Sequence, residues 1–159
     1  MSTFPKALLG WTRENPWLFS LLAAIAAILP PFVLLALLRN SIPSAETEPY
    51  NPIIDGIAAL IIAPLFESAI LVPMMVIAER IIQGRVGPSL LCASVWAALH
   101  GMIVPLQAVV AFWAFLIFSL TLLHWRERLP HSYYWVLVLT HFFANLPSTI
   151  VLAFDIAQS

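Results

Sequence analysis

Apolar residues run almost unbroken along the chain and give way to polar stretches at only a few places. The first run extends from Trp17 to Leu38. It is longer than the roughly 7 to 15 residues of a signal-peptide core and lacks a convincing small-residue cleavage site, so it reads as a retained helix. Its Pro30-Pro31 pair predicts a kink, because each proline removes a donor and crowds the preceding turn. The polar segment Arg39 to Pro52 has no apolar periodicity, carries Glu46 and Glu48 and is punctuated by prolines, which predicts an exposed loop. A second span is predicted from about Ile53 to Ala78, with Glu67 near its middle and Pro64 and Pro73 on either side. Two prolines there predict a bent backbone with carbonyls freed toward a cavity.

Glu79 to Pro88, with Gly84 and Gly87, reads as a short charged loop, after which the chain stays apolar from Ser89 to Leu123. That stretch is too long for one span and holds two. Gly101 and Pro105 are its strong breakers, so the reversal is placed there and His100 falls close to the end of the third helix. Trp125 to Ser132 is the next polar loop, and Tyr133 to Phe154 the fifth span. The predicted fold is an all-α polytopic membrane bundle of about five transmembrane helices. It forms a single domain over residues 1–159 without internal repeats.

Composition agrees: 62% of residues are hydrophobic, 9% are charged and the mean hydropathy is +0.95, which excludes a soluble domain. A formal net charge of −1 offers no basic face for counterion release, which argues against a nucleic-acid partner. Cys92, the single cysteine, forms no intramolecular disulfide and reads as a small buried apolar residue. Basic residues are retained preferentially in cytoplasmic loops. A cytoplasmic amino terminus places Lys6, Arg13, Arg80, Arg85, Arg126 and Arg128 inside and only Arg39 outside. Trp11, Trp17, Trp125, Tyr133, Tyr134 and Trp135 then gather at the inner interface as aromatic anchors.

Glu67, His100, His141 and Asn145 lie deep in three different apolar runs and need a physical cause. A carboxylate at a helix centre costs roughly 2.5 to 3.5 kcal/mol on insertion scales, so Glu67 is expected to face protein partners or a watery cavity. From the cytoplasmic ends of their predicted helices, Glu67 and His100 are each about 16 Å deep, His141 about 12 Å and Asn145 about 18 Å. His141 and Asn145 share a helix face, being four residues apart, and so do Trp96 and His100. Structural readings stand beside the functional one. Glu67 can tie a bent helix together, and His141 with Asn145 can act as interhelical glue. His124 and His131 sit at or beyond a span end and are expected to be solvated, while Thr140 and Ser148 are expected to bond helix carbonyls.

These residues also carry a resemblance. Ala63-Pro64-Leu65-Phe66-Glu67, Trp96-Ala97-Ala98-Leu99-His100 and His141-Phe142-Phe143-Ala144-Asn145 follow one another in separate spans. In that order they resemble the motifs of the CAAX prenyl protease and bacteriocin-processing family of intramembrane proteases, over residues 53–148. Ser68 stands where the family has a second Glu and Val72 where it has an Arg; Trp96 replaces a Phe. The resemblance implies an intramembrane endopeptidase of the prokaryotic inner membrane, acting on a membrane-associated peptide or protein. Glu67 would be the general base on a water held with His100 and His141, His141 and Asn145 would stabilise the oxyanion, and Ser68 and Trp96 would support the site. No cofactor is expected. The alternative is zinc on Glu67, His100 and His141 with an open position. Two other functions stay open: a degenerate relative acting as a membrane binding or immunity-type protein, and a proton-coupled transporter, which the lack of an inverted repeat disfavours.

Overall fold

The structure, a computed structural model, describes residues 15–38 and 51–157. Lys6, Trp11, Arg13 and the predicted loop from Arg39 through Glu46 and Glu48 to Tyr50 lie outside the described residues. Among the described residues, five helices are long and apolar enough to cross a membrane: α1 (Pro16–Leu38), α2 (Ile53–Ile81), α3 (Val86–Ile103), α4 (Gln107–Arg126) and α5 (Tyr133–Ala157). No strand occurs among the described residues. The chain is an all-α, polytopic integral membrane protein, as its apolar pattern predicts.

Local chemistry sets the helix ends. Asn15 starts α1 by accepting the backbone N–H of Trp17 and Leu18 on Oδ1 at 3.1 and 3.2 Å. Asn51 starts α2 in the same way, accepting from Ile53 and Ile54, and Pro52 occupies a first-turn position where a missing N–H costs nothing. The α2–α3 turn passes through Gly84 at φ 88°, the left-handed region that disfavours side chains. Between α3 and α4, a Cβ on Gly101 would meet the Ala108 Cβ at 2.9 Å, so glycine permits this tight reversal. The reversal itself falls where Gly101 and Pro105 predict it. The loop between α2 and α3 differs from expectation at both ends. α2 continues through Glu79 and Arg80 to Ile81, and α3 already begins at Val86, so the predicted loop shrinks to a few residues. Helix persists because Glu79 is held by Arg126 in a two-pronged ion pair at 2.7 and 2.8 Å, and because Pro88 sits in a first turn.

The helices close into a ring in the order α1, α4, α3, α2, α5 and back to α1, with α4 also packing across the ring on α5. Neither α1 and α2 nor α3 and α5 pack on each other among the described residues. The tightest core lies toward the basic end, where Leu71, Met75, Cys92, Phe118, Leu122 and Leu137 are buried. The buried state of Cys92 matches its reading as a small apolar residue. Leu37, Ile81 and Phe154 point outward, as lipid-facing side chains do.

Two expectations about the basic-end interface are corrected. Trp125 is only 2% exposed, set edge-on to Phe19, so it is a core residue and not a surface anchor; Trp17 and Trp135 remain outward. His124 is half-buried and stacks on the Phe19 ring at 4.9 Å, because α1 crosses α4 at that level. His131 is exposed.

Candidate functional site

Site geometry begins with the prolines. Pro30 offers no N–H to the Ala26 carbonyl four residues earlier, and the Trp113 indole of α4 donates to that oxygen at 2.8 Å. In α2, Pro64 deprives Leu60 of its usual donor, and a π-helical turn over Ala58–Ile62 takes up the mismatch. The Ala63 N–H goes back to the Ala58 carbonyl, and Pro64 has no N–H to give, so Ala59 is left with neither the donor four residues ahead nor the one five ahead. Asn145 of α5 fills the gap, donating Nδ2–H to the Ala59 carbonyl at 2.7 Å. The freed carbonyls that two prolines predict are therefore present, and one ties α2 to α5 beside Glu67.

All four polar residues expected to form a site line one cavity of about 950 Å³: Glu67, His100, His141 and Asn145. Along α2, Ala59 and Ala63 precede Glu67 at four-residue intervals on the same face, and their small side chains leave room above the carboxylate. Glu67 Oε2 stands 3.6 Å from His141 Nε2, with side-chain exposures of 22% and 6%. This is an electrostatic contact slightly longer than a hydrogen bond. His100 lies within electrostatic range of both. Its Nδ1 is 2.9 Å from the Trp96 carbonyl, and a carbonyl can only accept, so Nδ1 carries a proton and Nε2 is the nitrogen left for chemistry.

Aromatic rings hold the imidazoles in place. Trp96 stacks on Phe115 with centroids 4.4 Å apart and planes 9° from parallel, and His100 packs at 5.7 Å from each of these rings. His141 lies against Phe118 at 4.5 Å and meets Phe115 edge-on at 5.8 Å. Trp96 thus packs against both Phe115 and the ring of His100. Ser68 is buried with its Oγ unbonded, and Val72 packs partly buried against the core. His141 Nδ1 is likewise buried without a hydrogen-bond partner. Thr140 and Ser148 donate to the carbonyls of Val136 and Asn145, as expected.

The zinc alternative finds no support in this arrangement. Among the described residues no three His, Cys, Asp or Glu side chains are grouped so as to hold a metal ion, and Glu67, His100 and His141 do not form a ligand triad. Sequence reasoning passed over Phe115, Phe118 and Gln107, which also line the cavity. The two phenylalanines sit in an apolar run where nothing distinguishes an inward ring from a lipid-facing one. Gln107, a polar residue opening an apolar helix, was a visible signal. No family model matches this sequence, and neither curated proteins nor solved structures give a match.

Proposed function

We propose that the protein is an intramembrane endopeptidase in which Glu67 activates water for attack on a peptide bond of a membrane-associated substrate. The observation that carries this reading is the meeting of Glu67 and His141 at 3.6 Å, inside a cavity that His100 and Asn145 also line. The carboxylate takes the proton of a water placed between it and the imidazoles, and the resulting hydroxide adds to the substrate carbonyl. His141, through Nε2–H, and the second N–H of Asn145 are the donors available for the developing oxyanion. Glu67 then returns the proton to the leaving amine. Burial of His141 strengthens its interactions relative to a water-exposed site.

A second reading, a non-cleaving relative that captures a membrane partner, is favoured by Ser68 and Val72 at positions where the resembled family has Glu and Arg. Asn145 also spends one donor on the Ala59 carbonyl. One assay separates the two. Purified protein in detergent is expected to hydrolyse a membrane-associated peptide, and Glu67→Gln to leave it intact. Equal turnover by both contradicts the peptidase reading, and capture of the same peptide by both without cleavage establishes the second. We further propose, from the gathering of Arg80, Arg85, Arg126 and Arg128 at one end of the bundle, that the amino terminus is cytoplasmic; the prokaryotic inner membrane setting rests on the family resemblance alone.

A further inference from the structure

The cavity is not centred in the bundle. Its lining comes from the carboxyl-terminal half of α1, the middle and carboxyl-terminal part of α5, the amino-terminal half of α2, the amino-terminal and middle part of α4, and His100 near the end of α3. Because neighbouring spans alternate in direction, most of this lining lies in the half of the molecule remote from the basic loops, with Phe118 and His141 reaching back to the middle. Along α4 the lining runs from Phe118 at the floor to Gln107 at the helix start, about 16 Å at 1.5 Å per residue. Glu67 and His141 lie at the floor, and Gln107 and Ser148, both exposed, lie at the mouth.

The walls are of two kinds. On α5, His141, Asn145 and Ser148 follow the i, i+4, i+7 spacing of one helix face and form a polar stripe from floor to mouth. On α1, Ile28, Phe32 and Leu35 repeat at the same spacing and form an apolar stripe. α1 and α2 do not pack together among the described residues; α5 stands between them, so its polar stripe lies between the apolar wall of α1 and Glu67 on α2. A fatty acyl chain would satisfy the apolar stripe alone. A peptide in extended form satisfies both, since its side chains suit α1 while its regularly spaced amides suit hydrogen-bonding groups distributed along α5.

We propose that the cavity is a one-ended groove for an apolar peptide segment in extended form, entered from the membrane half opposite the basic loops, with the α5 stripe meeting its backbone. The groove length accommodates about three to five residues at roughly 3.3 Å each, which brings a peptide bond to Glu67. This inference rests on the peptidase reading for what happens at the floor, and its test does not depend on turnover.

In a Cys92→Ala background, Ser148→Cys and Gln107→Cys mark the mouth and Arg128→Cys marks the opposite end. In sealed vesicles of known orientation, a membrane-impermeant maleimide is expected to label both mouth positions from one side and Arg128→Cys from the other. A synthetic Leu/Ala-rich membrane peptide is then expected to slow labelling of Ser148→Cys several-fold, while oleate at the same mole fraction leaves it unchanged. Labelling of the mouth from the same side as Arg128→Cys, protection by oleate and not by peptide, or protection by neither overturns the proposal. Gln107→Cys supplies the same readouts on a different helix should Ser148→Cys not fold. Protection is expected to persist in Glu67→Gln; peptide that protects wild type without being cleaved refutes the peptidase reading and leaves the groove standing.

Discussion

The two halves of this bundle are built differently. Toward the basic loops, large side chains such as Leu71, Met75, Phe118 and Leu122 fill the space between helices, and ion pairs Glu79–Arg126 and Arg85–Glu127 join their ends. In the other half, prolines and alanines take over: Pro31, Ala59, Ala63 and Pro147 line an opening where the first half has a packed core. In lipid there is no hydrophobic force to collapse such an opening, and helix association depends on packing and hydrogen bonds. The open half is accordingly held by side chains that bond backbone oxygens across helices, Trp113 to Ala26 and Asn145 to Ala59. The bonds that keep the site open are thus direct consequences of the prolines that loosen its helices.

The largest effect on the open half comes from its carboxylate. Glu67→Gln is expected to lower peptide hydrolysis by about 10²-fold or more, the usual contribution of a positioned general base, while leaving detergent-purified protein folded. Next is Asn145→Ala. It removes the donor from a carbonyl that has lost its intrahelical partners, and an unfolding equilibrium in mixed micelles should show a loss of about 1 kcal/mol, near the upper part of what single bonds contribute in membranes. Trp113→Phe keeps an aromatic ring and deletes the N–H to Ala26, for about 0.6 kcal/mol in the same measurement.

The packed half is expected to respond less to its charges. Arg126→Gln breaks a bidentate pair whose side chains are about one-third exposed, and its cost should stay near 1 kcal/mol or below. Arg85→Gln removes a pair more than half exposed on both sides and should change stability by no more than about 0.5 kcal/mol, less still in high salt. A larger loss at Arg85 than at Asn145 would reverse the contrast between the halves.

Much of this was legible in the sequence because a bilayer simplifies the pattern. The number of spans, the helical first run and the reversal at Gly101 and Pro105 follow from apolar length and breakers alone. Glu67, His100, His141 and Asn145 were legible for the opposite reason: polar groups in apolar runs stand out. Helix ends were harder, since Glu79 and Arg80 are charged yet helical, and only the partner Arg126 on a distant part of the chain explains why. Trp125 was misread because a tryptophan near a span end looks the same whether it turns to lipid or to Phe19. The rings of Phe115 and Phe118 were hidden among other apolar residues, and the π-helical turn before Pro64 required knowing which carbonyl Asn145 could reach. The offset of the cavity toward one half was not readable, since apolar periodicity does not show where helices part.

Glu67 and His141 meet at the floor of this cavity, and whether they act there as a unit is decided by a double-mutant cycle on kcat/KM. With Glu67→Gln, His141→Ala and the double variant assayed on one membrane-associated peptide, the double variant is expected to be hardly slower than the worse single variant. Losses that simply multiply, or single variants as active as wild type, would show that the two side chains do not work together.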